Sequence, residues 1–409
     1  MKFVKRSKVY ISLIIGLIAL FIVYLVLQSS ISGILKFLFS VVILYIVSLY
    51  YKKSFGFESF YGLLLLRSKK GLEIIESFSN KYKNYVNALS DISYSMAFGF
   101  LSVFFIDWID IKKRVISLLC AYLIFFIIYL VEPAAISYIF NFSDLPKPGN
   151  VEGPSFNIVL LISLFGGFFL LMLLFIINAS YTTLLNLVAK IMGKNVVLHQ
   201  NVTLILPGIN IPLFEGIIAL GVILIVHEFA HGISAVAHKI KLQNTGLVLF
   251  GSLVVGAFVE VDEKKLFRSS KKEQLRVLSS GIGSNFIFSV MFGFLFILFL
   301  ALTQQYTLQG CYVKAENIII LFDSTTPCIK AGPMSAIRVY TDPILNSIYN
   351  ILGLLTVLNF TVATINILPL PFFDGDHILK ATLGNGNLYN IIRAITIICF
   401  IILILPAFV

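Results

Sequence analysis

Long apolar runs separated by short polar stretches dominate this chain. They fall at 10–27, 34–50, 92–109, 115–131, 157–177, 212–232, 277–303, 344–367 and 388–408. Each is near the length that crosses a bilayer as a helix, ~20 residues. The pattern predicts an all-α polytopic membrane protein with about eight or nine transmembrane helices. One stretch departs from it. Residues 246–250 and 253–261 place β-branched and aromatic side chains on either side of Gly251-Ser252, which predicts a β-hairpin. Strand backbone at a membrane must be satisfied or face water, so this membrane-associated hairpin is expected beside a polar site and away from lipid.

The polar stretches set the remaining divisions. Lys2, Lys5, Arg6 and Lys8 precede the first run, which is long for a signal segment and is followed by Gln28-Ser29-Ser30-Ile31, with no small-x-small cleavage pattern. The reading is an uncleaved span. Residues 52–91 carry seven lysines and arginines, with Leu72, Ile75 and Phe78 at helical spacing. They predict either an amphipathic helix on the membrane surface or a solvated loop. Residues 132–156, rich in Pro, Gly and Asn, read as a linker. It divides accessory transmembrane helices with a basic cytoplasmic loop (1–150) from a membrane core (151–409) with an external loop at 304–343.

Composition strengthens this picture. With 58% hydrophobic and 12% charged residues and a mean hydropathy of +0.96, an ordinary soluble domain is excluded. The net charge of +11 lies in short runs between apolar spans. Positive-inside retention accounts for it, and no nucleic-acid partner is implied. Lys264, Lys265, Arg268, Lys271, Lys272 and Arg276 form the strongest basic run and mark the cytoplasmic side, with the amino terminus on that side too. The turn Asp110-Ile111-Lys112-Lys113-Arg114 then falls outside, against the tendency. Cys120 and Cys399 sit in apolar runs as packing residues, whereas Cys311 and Cys328 share the external loop, where an oxidising exterior would permit a disulfide. No paired-cysteine metal motif occurs.

The chemistry lies at the end of the run that starts near Pro212. His227-Glu228-Phe229-Ala230-His231 puts two histidines four apart on one helical face, able to share a metal ion, with a glutamate beside them as a base. Two histidines are one ligand short of a hydrolytic zinc site. His238 shares the face but would stand about 10 Å further along the axis than His231, too far for bonds near 2 Å. His199 has no partner at ligand spacing. Asp374 is the better third ligand: Pro369 and Pro371 break the preceding helix, and an Asp-Gly turn can aim a short carboxylate inward.

Together, His227-Glu228-Phe229-Ala230-His231 and the stretch from Asn366 through Pro369, Pro371 and Asp374 to Gly375 resemble the site-2 protease family of intramembrane zinc metalloproteases. The resemblance covers roughly residues 157–409, including the hairpin and Gly281 to Asn285. It implies one Zn2+ per chain held by His227, His231 and Asp374, Glu228 as general base, and Asn366 and Asn285 positioning substrate or oxyanion. It also implies a multi-pass protein whose substrate is a single-span membrane protein cut within the lipid bilayer, while the basic run after the His-bearing helix puts the active site near the cytoplasmic side. The strand 254–259, with Val255 and Ala257, is expected to pair with an unwound substrate. A full PDZ domain is absent from the external loop, although Ser324 to Gly332 resembles a remnant of one.

Other classes fit less well. A rhomboid-like site needs a helix-borne Ser/His pair, and Gly153-Pro154-Ser155 lies in a linker. An aspartyl site needs two intramembrane aspartates, one in Gly-x-Gly-Asp. A soluble-facing HExxH peptidase needs a glutamate-bearing helix for its third ligand. The alternative outside enzymes is a non-proteolytic membrane scaffold or an ion-binding transporter.

Overall fold

The computed structural model describes residues 6–29, 33–105, 111–142, 156–196, 211–303, 311–315, 318–320, 329–330 and 342–407, with 205, 207 and 340. In chain order these form α1 (Arg6–Gln28), α2 (Gly33–Phe55), β1 (Glu58–Phe60), β2 (Leu63–Arg67), α3 (Lys69–Lys81), α4 (Lys83–Phe98), α5 (Ser102–Phe105), α6 (Ile111–Phe142), α7 (Phe156–Ile191) and α8 (Leu213–Ala237). There follow β3 (Leu242–Phe250), β4 (Leu253–Val261), α9 (Glu263–Leu266), α10 (Lys271–Leu302), β5 (Cys311–Ala315), β6 (Ile318–Ile320), β7 (Ile329–Lys330), α11 (Pro343–Asn366), α12 (Asp374–Leu383) and α13 (Asn387–Ile404).

Among the described residues six helices are long and apolar enough to cross a membrane: Leu38–Phe55, Ile158–Ile191, Phe214–Ala237, Lys271–Leu302, Pro343–Asn366 and Asn387–Ile404. Tyr10–Val26 forms a shorter apolar helix. The count is below the expected eight or nine partly because 92–109 is not one helix. α4 begins earlier, at Lys83, and stops at Gly99, whose φ is +54°. There the backbone meets α7: a Cβ on Gly99 would lie 2.6 Å from Gly167 N, and Gly167 itself has φ +62°. Two glycines thus let two helices touch backbone to backbone, and α4 turns aside at the contact. α6 continues past 131 to Phe142, and α7 past 177 to Ile191.

The expected hairpin is half of a larger sheet. Its antiparallel order is β1-β2-β3-β4, with Leu65 opposite Val248 and Thr245 opposite Val259. A register shift places Val255 in a bulge between Val254 and Gly256. The turn at its tip docks on the first two helices, where Gly251 N–H donates to Ser48 Oγ at 2.6 Å and Tyr51 OH lies 2.9 Å from Ser252 Oγ. α3 is indeed amphipathic, but its apolar face lies on α8. Ile75 is buried, Phe78 meets Phe229 edge-on at 5.5 Å, and Ser79 Oγ donates to the Ile233 carbonyl at 2.7 Å. The loop between α10 and α11 holds a small sheet, order β6-β5-β7. Cys328, the disulfide question it carries, the PDZ-like stretch up to Cys328, His199, Asp110 and residues 143–155 lie outside the described residues.

The least anticipated element is α4. Its Ser90, Asp91, Ser93, Tyr94 and Ser95 are buried, although its first half had read as a surface segment. Lipid tails are as apolar as leucine, so helices in a bilayer associate through packing and polar contacts. α4 supplies both. Asp91 takes a bidentate ion pair from Arg276 of α10, with Nε to Oδ1 at 2.6 Å, and Arg276 Nη1 lies 3.2 Å from His238 Nε2 at the end of α8. Ser90 and Ser234 hydroxyls meet at 3.1 Å. An aromatic knot closes the same core: Phe168 of α7 stacks on Phe286 of α10 at 4.0 Å, with Phe125 of α6 and Phe360 of α11 edge-on to it.

Removing one member of the buried pair leaves an uncompensated charge, a loss of about 3–5 kcal/mol. Arg276→Met should therefore lower the Tm of the detergent-solubilised protein substantially, and adding Asp91→Leu to it should recover much of the loss. A single variant as stable as the original would show that the pair does not hold α4 to α10.

Candidate metal centre

His227 and His231 occupy successive turns of α8, ring centroids 4.8 Å apart. The third group arrives through a broken helix. α11 ends at Asn366, Pro369 and Pro371 prevent its continuation, and Phe372 adopts φ +74° to reverse the chain. α12 then starts at Asp374 itself, so the expected Asp-Gly turn is the first turn of a helix. A carboxylate suits that position because the free N–H groups there favour negative charge. Gly375 is required by the fold-back: a Cβ there would collide with the Ile367 carbonyl oxygen. α12 is tethered to α13 through Asp376, whose Oδ1 accepts from Tyr389 OH at 2.8 Å and lies 3.0 Å from Arg393 Nε.

The result is a compact triangle. Asp374 Oδ2 lies 3.0 Å from His227 Nε2 and 3.2 Å from His231 Nε2, and the two Nε2 atoms are 3.2 Å apart. Ligands bound tetrahedrally to zinc at ~2.0–2.1 Å stand ~3.3 Å from one another. The three atoms therefore fit one zinc ion, and with three protein ligands a fourth position stays open, as in catalytic sites. The donor set, nitrogen and carboxylate oxygen, is of the kind zinc takes. His227 is buried, whereas the Asp374 side chain is one-fifth exposed, so the triangle has an approachable side.

α10 runs behind the histidines without filling the site. At Gly281 a Cβ would collide with His231 Nε2 and lie 2.7 and 2.8 Å from His227 Cε1 and Nε2, so any other residue there would occupy the ligand positions. His231 Nδ1 lies 2.8 Å from the Val277 carbonyl, to which it donates, leaving Nε2 to face Asp374. Val277 carries no signal legible in sequence, because its contribution is a backbone oxygen.

Glu228 points to the sheet. Its Oε2 accepts from Val259 N–H of β4 at 2.9 Å. One turn further, Gly232 admits β4 and α3, where a Cβ would lie 3.1 Å from both Val259 and Ile75. The other residues singled out in the sequence fall at differing distances from this centre. Asn285, fully buried, has Nδ2 3.1 Å from His227 Nδ1. Asn366 closes α11, half-buried. Ala257 lies opposite Leu247 on β4, whereas Val255 is exposed at the bulge. His238 caps α8 with Nδ1 2.8 Å from the Ser234 carbonyl and takes no part in the triangle.

Comparison with known proteins agrees with this geometry. Residues 215–406 match the model of Peptidase family M50. An uncharacterized protein of Methanocaldococcus jannaschii is 41% identical over 122 residues, which span 30% of this chain and 30% of the relative. No solved structure matches. The matched residues 215–406, which hold His227, Glu228, His231 and Asp374, are similar to Peptidase family M50, the site-2 protease family.

Proposed function

We propose that this protein is an intramembrane zinc metalloprotease that hydrolyses a peptide bond within or next to a transmembrane segment of a single-span membrane protein. The observation that carries the reading is the triangle of His227, His231 and Asp374 ligand atoms at 3.0–3.2 Å, built from apolar helices in a family of metallopeptidases. A scaffold or transporter would have no need of a glutamate beside that triangle.

Held by those three residues, zinc would supply Lewis-acid polarisation of the scissile carbonyl and acidify the attacking water. Glu228 has the chemistry of the general base. It takes the proton of that water and delivers it to the departing amine nitrogen. The Val259 N–H holds this carboxylate against β4. The basic run from Lys264 to Arg276 supports a site toward the cytoplasmic face.

A helical substrate hides its peptide bonds and must present them extended. β4 is an edge of the sheet, and Val259 N–H points away from β3, since it reaches Glu228. Backbone groups alternate between edges, so Ala257 N–H faces the same way. A substrate segment paired there would lie beside the base, recognised through its main chain with little demand on sequence.

Three outcomes are expected. Glu228→Ala should bind zinc as the unaltered protein does yet lose about 10^2–10^4-fold in cleavage of a tagged single-span substrate, whereas Asp374→Ala should lose the zinc as well. Equal cleavage by Glu228→Ala and the unaltered protein would overturn the mechanism. Ala257→Pro removes one outward main-chain donor, a loss of up to ~10-fold in cleavage with zinc retained. Undiminished turnover in that variant would exclude pairing at this point of the edge.

A further inference from the structure

α10 serves both histidines from one face. Val277, Gly281 and Asn285 stand a turn apart, the first against His231, the second opposite both rings, the third against His227. The two outer contacts differ in kind. A backbone carbonyl can only accept, so Val277 fixes the proton of His231 on Nδ1. An asparagine amide can donate or accept, according to which end faces the ring.

Asn285 carries a mark of that ambiguity. Its Nδ2 faces His227 Nδ1 at 3.1 Å, while its Oδ1 is buried without a hydrogen-bond partner. With Nδ2 donating, His227 Nδ1 must accept, and the ring proton sits on Nε2. From there it reaches Asp374 Oδ2 at 3.0 Å and occupies the direction a metal would need. With the amide turned end for end, Oδ1 accepts from Nδ1–H and the Nε2 lone pair is free. Both arrangements use the same heavy-atom positions. The side chain is fully buried behind the imidazole, so its reach is to His227 and not to an arriving substrate.

We infer that Asn285 is a positioning residue that sets the tautomer of His227, its amide oxygen accepting from Nδ1–H so that the Nε2 lone pair is free for a metal. This rests on the reading of His227, His231 and Asp374 as a zinc site. A partner that can only accept would hold His227 ready for metal permanently. A partner that can do neither would leave the ring unoriented.

The test is zinc affinity of the full-length protein in detergent, by competition with a chromophoric chelator, for Asn285→Asp, Asn285→Leu and Asn285→Ala. Loss of an outer contact to a metal-bound histidine costs about 10–100-fold in affinity. Leu and Ala variants should show that loss, and the Asp variant, whose carboxylate only accepts, should stay within about threefold of the unaltered protein. Cobalt-loaded protein should show a changed visible spectrum in the first two and not in the third. If the Leu variant fails to fold, the smaller Ala variant decides. Unaltered zinc affinity in Leu or Ala, or equal loss in Asp, overturns the role of Asn285 while zinc binding abolished by His227→Ala keeps the metal site. Absence of zinc binding in the unaltered, folded protein overturns both.

Discussion

Everything at this site depends on how closely α10 can approach α8. Two imidazoles and a carboxylate inside apolar helices are tolerated only if each polar atom is partnered. The partners come from the neighbouring helix, and the glycine between them makes room. Gly281 removes the side chain that would otherwise stand in the ligand positions. Gly283, two residues on, turns to the other neighbour: a Cβ there would collide with Ser93 of α4. α10 is thereby wedged between the histidine helix and α4, which fixes its rotation about its own axis. The Val277 carbonyl and the Asn285 amide gain their precision from that wedge, with the Phe286–Phe168 stack behind it.

Much of this could be read from the chain alone. The histidine pair is legible because four-residue spacing on an apolar helix has few other meanings, and Asp374 because two prolines mark a broken helix before it. α11 falls within a residue of its expected limits, whereas α10 ends near its own but starts earlier, at Lys271, where Ser270 and Glu273 form a capping box that acts locally. What could not be read is partnership over distance. Arg276 looks like the last residue of a basic flank, and Asp91 like part of a polar loop. Only folding shows that the two, 185 residues apart, form one buried pair. Ser90 is misleading in the same way, because in the sequence it ends a polar stretch and in the fold it meets Ser234. β1 and β2 were missed for another reason: strands of three and five residues among leucines give no periodicity to detect.

The region before α7 therefore does more than precede the core. It extends the sheet by two strands, lays α3 along α8, drives α4 into the bundle and clasps the sheet's turn with Ser48 and Tyr51. These contacts reach the histidine helix, the helix behind it and the strand beside Glu228. The matched family region begins at residue 215, so the surroundings of its site are completed by segments that lie outside it.

The bond between Glu228 and Val259 has a kinetic side. One N–H cannot serve two acceptors equally, so an extended segment that pairs along β4 as far as Val259 must draw that donor away from the glutamate. The carboxylate is then released from its restraint at the moment a peptide bond comes alongside it. Without such a segment it stays hydrogen-bonded to the strand. Arrival of the chain to be cut and arming of the group that cuts it would then be one event, timed by a single backbone hydrogen.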